Sequence, residues 1–414
     1  MLNRRQFIGG LSAVGGAMPF LNGESKVING SLKERAKSVI YIFMAGGLSQ
    51  FESFNVEIDK KTMGTTTAHK SNADGVRVSQ YFPNMAKQMD KVTVINSMKI
   101  NQGAHPSAIY KLLTSYNPRS SITHPELGAW INKCKSQKTD TLPNFVSICS
   151  RRQGTSGFFP GKYAALPVVN PAAGIMFSKR HNAVNEKVFK ERLNLVSGLN
   201  KNFQKQFGTD DSHAYTDIYA DSVKFMNSKD ISTFDLKKEN ENITKLYAKD
   251  SLSQGCLLAG RLAEKGVKFS KVDLGGWDHH QKLFTDLPPK AAMLDQALSS
   301  LLQHLSQKGL LDTTLVVLAT EFGRSPLINV NAGRDHHPKG FTCLLAGAGV
   351  KGGQIYGKTS KDGKEIIENP VDVVDFNATI AWSLGIKPDH EEMSPSGRPF
   401  KLSNKGKAQT QLFS

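Results

Sequence analysis

Three short clusters gather residues able to do metal or acid–base chemistry: Gly275-Gly276-Trp277-Asp278-His279-His280, Glu321-Phe322-Gly323-Arg324-Ser325-Pro326 and Gly333-Arg334-Asp335-His336-His337-Pro338. Together they carry four of the eleven histidines, two arginines and three acidic residues. Carboxylates beside imidazoles suit a divalent transition metal, zinc or manganese above all. Arginines beside them suit a tetrahedral oxyanion such as phosphate or sulfate. Each residue alone also has a plainer reading. An Asp-His pair can be a helix cap with a surface histidine, Asp335 can cap a turn, and Glu321 can form a salt bridge with Arg324 or Arg334.

The elements around the clusters favour a shared site. Residues 38–44 form a β-branched and aromatic run stopped by Ala45-Gly46-Gly47, which reads as a buried strand followed by a tight turn. Residues 92–96, 268–274, 315–319 and 341–346 read as further strands. Residues 106–113, 252–265, 289–308 and 374–384 read as helices, with Met293, Leu294, Leu298, Leu301 and Leu305 at helical spacing in the third. Pro106 and Pro289 are taken as helix starts, where a missing N–H costs nothing. Residues 57–78 read as a polar, basic loop. Residues 150–250 read as an irregular, partly helical insertion that could cap a substrate site. Strands alternating with helices predict an α/β fold with a largely parallel sheet. The first two clusters follow strands and the third precedes one. In open α/β sheets, sites form outside the carboxyl ends of strands.

The chain opens Met1-Leu2-Asn3-Arg4-Arg5-Gln6-Phe7-Ile8, an arginine pair followed by a short, glycine-rich apolar stretch. This reads as a twin-arginine export signal over residues 1–30, removed from a single domain of residues 31–414. The expected location is the periplasm or the cell surface. No later stretch reads as transmembrane. The net charge of +17 comes from scattered lysines without a nucleic-acid-binding motif, so nucleic acid is not an expected partner. In an exported protein such a surface suits phosphate, sulfate, anionic glycans or the envelope. Cys134, Cys149, Cys256 and Cys343 form no C-x-x-C pair, and disulfides and free thiols both remain open.

The order of these motifs resembles the domain-of-unknown-function family 1501. The resemblance includes the 38–47 strand and turn, Leu344-Leu345-Ala346-Gly347 and Gly352-Gly353-Gln354-Ile355-Tyr356-Gly357, and spans about residues 37–399. That family in turn is similar to the alkaline phosphatase and sulfatase superfamily. The resemblance implies a three-layer α/β/α sandwich with a mostly parallel central sheet and a metal site at its carboxyl edge. It implies Asp278, His280, Glu321 and His336 as ligands, with Asp335 beside His336. At the first loop the sequence departs from the family, with Gln50 in place of His, Glu52 of Asp and Asn55 of Asp. Glu52 keeps a carboxylate and is a further candidate ligand. His105-Pro106-Ser107 has the outline of the sulfatase helix start, with His105 near the Cys position. His105 is therefore nucleophile, ligand or general acid, and Ser107 an alternative nucleophile or a cap.

The leading expectation is an exported, metal-dependent hydrolase of a phosphate or sulfate ester. Zinc or manganese would be the cofactor, Arg324 and Arg334 the anion binders, and an anionic small molecule or glycan ester the substrate. The alternative is a binding or assembly module of the cell envelope on the same fold, with a protein or glycan partner. A third reading is metal-independent hydrolysis through Ser107.

Overall fold

The computed structural model describes residues 32–414 except 57, 151–153, 176–177, 179 and 208–219. The twin-arginine segment lies outside the described residues. Residues 32–414 make one compact unit.

Nine strands form the central sheet. In chain order we name β1 Ser38–Ala45, β2 Val92–Lys99, β3 Phe145–Ile148, β4 Leu166–Val168, β5 Phe269–Gly275 and β6 Thr314–Ala319. A hairpin outside the sheet follows, β7 Gly323–Ile328 with β8 Arg334–His337. The sheet then continues with β9 Phe341–Ala346, β10 Gln354–Tyr356 and β11 Val371–Asp372. The spatial order is β10-β2-β9-β6-β1-β5-β3-β4, with β11 also paired to β2. Every pairing is parallel except those of β9, which runs against both β2 and β6.

Side chains of β1 alternate between two cores, as a strand buried on both faces requires. Ile40, Ile42 and Met44 pack with α3 (Ser251–Glu264) and α4 (Leu283–Gln307). Val39, Tyr41 and Phe43 pack with α1 (His105–Thr114), α2 (Leu127–Lys135) and α5 (Val373–Ser383). Helices thus cover both faces of a mostly parallel sheet, and the three-layer sandwich expected from the sequence is present.

Details differ from the expectation. Helix α4 begins at Leu283 and carries Pro288 and Pro289 inside it, so the proline mistaken for a start signal is internal. Residues 57–78 are not simply a loop. They hold a helical turn, Lys60–Met63, and a small hairpin, Ala68–Lys70 with Arg77–Ser79, whose Val78 is buried. The inserted region contains the helix Glu186–Phe207. The four cysteines are free. Among the described residues no helix is long and apolar enough to cross a membrane.

Candidate metal centre

Four chain segments meet at the carboxyl edge of the sheet. Strands β1, β5 and β6 deliver Gly46-Gly47, Asp278 and Glu321 there, and α1 begins there with His105. The antiparallel β9 explains the third motif: a strand running the other way has its entrance, not its exit, at this edge, so β8 with His336 arrives beside the rest. The approach is close. Gly46 has φ +119°, and a Cβ there would stand 2.7 Å from the backbone nitrogens of both Trp277 and Asp278. A glycine is required on both counts. Its own N–H donates to Glu321 Oε1 at 2.8 Å.

His105, Asp278 and His336 bring donor atoms within 4.8 Å of one another. His105 Nε2 lies 3.2 Å from Asp278 Oδ2, and His336 Nε2 lies 3.4 Å from Asp278 Oδ1. Neighbouring donors of a tetrahedral ion with bonds of about 2.0 Å stand about 3.3 Å apart.

The hydrogen bonds on the far side of each ring decide which nitrogen is bare. His336 Nδ1 donates to the Gly103 carbonyl at 2.8 Å, which only accepts, so in the neutral ring Nε2 carries no proton. His105 Nδ1 donates to Glu321 Oε1 at 2.6 Å, which turns its buried Nε2 toward Asp278 Oδ2. His280 Nδ1 donates to Asp335 Oδ1 at 2.9 Å, and its Nε2 faces His336 Nε2 at 3.0 Å. Two bare nitrogens facing each other beside a carboxylate call for a cation between them. The Nδ1 of each ring held by an oxygen is also how metal-bound histidines are oriented. The residues present therefore fit a divalent metal ion.

Charge around the centre is set by Arg324, which is buried. Its Nη2 donates to Asp278 Oδ1 at 2.6 Å. Burial alone would raise the Asp278 carboxyl, but the Arg324 hydrogen bond and charge, with His105 and His280, bring it down to about 2. The hydrogen bond to Glu321 raises the His105 imidazole above its ordinary value, with burial opposing and the Glu321 and Asp278 charges adding to the rise. A metal would compete with that proton for Nε2. Phe322, fully buried, lies under the rings of His105 and His336 at centroid distances of 4.8 and 4.4 Å.

The family described as "Protein of unknown function (DUF1501)" matches residues 36–413. The chain belongs to the DUF1501 family. A search of curated proteins finds no match. Among solved structures, this DUF1501 protein is similar to a protein in the alkaline phosphatase superfamily from Vibrio parahaemolyticus, at 8% identity over 93% of this chain and 72% of that one, with a TM-score of 0.44. It is also similar to a sulfatase from Pseudoalteromonas sp., at 12% identity over 84% and 68% of the two chains, with a TM-score of 0.40. A phosphonate monoester hydrolase from Silicibacter pomeroyi aligns at 9% identity over 91% and 76%, with a TM-score of 0.33.

Several residues expected to face a ligand stand elsewhere in the DUF1501 protein. Glu321 sits behind His105, its Oε1 taken by Gly46 and His105. Asp335 sits behind His280, not beside the late histidine. Glu52 and Arg334 are fully buried and paired with each other, Nη2 to Oε1 at 2.7 Å and Nε to Oε2 at 3.1 Å. The remaining Arg334 donors go to the carbonyls of Ser325, Pro326 and Thr62, so no N–H is left for a substrate anion. Arg324 is likewise turned to protein oxygens. Ser107 Oγ donates to the Ala104 carbonyl at 3.1 Å, a back-bond within the first turn; it is not a cap, because a capping side chain accepts from an N–H and this helix has no such bond.

Two contributors have no signature in the sequence. The Gly103 carbonyl that orients His336 has no residue type to read. Gln50 also locks the site loop, accepting from Arg324 N at 2.8 Å and donating to Arg324 O at 2.8 Å.

Proposed function

We propose that this DUF1501 protein is a metal-dependent hydrolase of a phosphate or sulfate ester, exported by the twin-arginine route and active in the periplasm or at the cell surface. The observation that supports it is the convergence of the Nε2 atoms of His105 and His336 on the Asp278 carboxylate. His105, Asp278 and His336 would hold the ion, zinc or manganese by the chemistry of its donors. When bound, such an ion polarises an ester oxygen or activates a water.

The chain's own residues do the positioning. Glu321 fixes the ring of His105 through Nδ1. Arg324 keeps Asp278 ionised and pointed inward. His280, exposed and with Asp335 behind its Nδ1, brings Nε2 to 3.0 Å from both Asp278 Oδ1 and His336 Nε2 and would be a fourth ligand. Helix α1 begins at His105, so its positive pole lies at the centre and favours an anionic substrate there. In this reading His105 is a ligand and the Ser107 hydroxyl is spent on the Ala104 carbonyl, so the attacking group is water.

The competing reading is a binding module of the envelope. It draws support from the first loop, where Gln50 and Glu52 are spent on Arg324 and Arg334. Elemental analysis of the full chain, purified without chelator, separates the two, alongside Asp278→Ala and His336→Ala and a screen of phosphate and sulfate esters. Bound metal in the parent, lost from both folded variants together with ester hydrolysis, is the expected result. A folded parent that takes up no divalent metal overturns the hydrolase reading.

A further inference from the structure

We infer that the centre holds one metal ion and not two, with the Arg324 guanidinium standing where a second cation would sit against Asp278. This rests on the metal-centre reading above. A second ion about 3.5–4 Å from the first needs further donors of its own, and such pairs are usually clamped by a shared carboxylate.

Among the described residues, the donor atoms within mutual reach gather in one cluster around a single carboxylate: His105, Asp278 and His336, with His280 Nε2 3.0 Å from both Asp278 Oδ1 and His336 Nε2. Asp278 is its only carboxylate, hence the group a second ion would share. The Oδ1 side of that carboxylate is already taken by Arg324 Nη2 at 2.6 Å. The guanidinium is 1% exposed and pinned in place. Its Nε donates to Gly47 O at 2.9 Å and its Nη1 to Arg334 O at 3.0 Å, while Nη2 also reaches Gly46 O and Trp277 O. It cannot swing away without leaving buried carbonyls unmatched.

The two buried carboxylates near the centre, Glu52 and Glu321, offer no way round. Glu52 is held by Arg334, a second fixed guanidinium. Glu321 Oε1 is held by Gly46 N–H and His105. At both Asp278 and Glu52, then, the positive charge facing the carboxylate is built into the chain. A guanidinium supplies charge and directed N–H groups but no open coordination position. It therefore neutralises Asp278 as a second ion would, without offering a second place for water or substrate oxygen.

The test is to load the full chain with manganese, count the bound ion by elemental analysis and record its electron paramagnetic resonance. One equivalent per chain with the hyperfine pattern of an isolated ion is the expected result. Two equivalents, or the spectrum of an exchange-coupled pair, overturn the inference even though they leave the metal-centre reading standing; a second ion at His280 and Asp335 would show itself in this way. Failure to bind either manganese or zinc overturns the metal-centre reading and this inference with it.

Discussion

Glu321 Oε1 stands 2.6 Å from His105 Nδ1 and 2.8 Å from the Gly46 N–H, so one buried oxygen ties the end of β1, the end of β6 and the start of α1 together. Glu321→Gln keeps the shape and removes the charge. A reoriented or less basic His105 should weaken metal binding by about 10–100-fold with the fold intact. Metal titration against a chelator of known affinity checks this, and unchanged affinity would show that Glu321 does not act through His105.

Gly46→Ala should be far more damaging than its size suggests. The added methyl meets the Trp277 and Asp278 nitrogens at 2.7 Å, in a backbone conformation that L residues rarely adopt. The expected cost exceeds about 2 kcal/mol, and metal uptake is lost with the displaced Asp278. A denaturation midpoint and a metal count, both matching the parent, would contradict this.

Ser107→Ala tests the nucleophile directly. The hydroxyl donates to Ala104 O from a partly exposed position. The variant should hydrolyse an ester at a rate within about threefold of the parent. A loss of several orders of magnitude, with metal still bound, would make Ser107 the nucleophile after all.

Removing either half of the buried Glu52–Arg334 pair should cost about 3–5 kcal/mol, because it strands the other charge. Glu52→Leu combined with Arg334→Met should recover much of that loss. Equilibrium unfolding of the two single variants and the double variant forms the cycle. Additive losses would show that the two residues act separately.

The acid limb of stability should carry a histidine signature. Burial pulls the His304 imidazole down to about 4, and its Nδ1 lies 3.0 Å from the Tyr247 hydroxyl. The unfolded chain takes up this proton near pH 6.5, whereas the folded chain resists it. The stabilisation is therefore complete above about pH 6.5 and is lost as pH falls toward 4, by roughly 3 kcal/mol at the limit. His304→Gln should flatten that part of the stability–pH curve. An unchanged curve would show that His304 does not contribute.

The strands that carry the site were legible because they are buried on both faces. β1, β6 and β9 are continuous apolar runs, and the turns after β1 and β5 are marked by paired glycines. Strand β3 and helix α2 were missed: four residues of Phe145–Ile148 are too short to show a period, and α2 lacks an acidic first turn or a capping side chain. The clusters were visible, but the division of labour within them was not. An aspartate that faces a metal and a glutamate that holds a histidine are the same chemistry in sequence. Only tertiary distance separates Asp278 from Glu321, Asp335 and Glu52. Arg324 and Arg334 show the same limit, since a guanidinium that binds substrate and one that staples backbone carbonyls are written with the same letter.

His105 and Glu321 are 216 positions apart in the chain. A ribosome making this protein releases the start of α1 long before the loop after β6, and β8 with His336 later still. No cradle for an ion exists on the growing chain, because its walls arrive last. Loading must follow folding, and the ion available where the chain folds is the one selected. Under the proposed twin-arginine export, which carries a chain across already folded, that choice would fall to the cytosol, whatever metals abound at the destination.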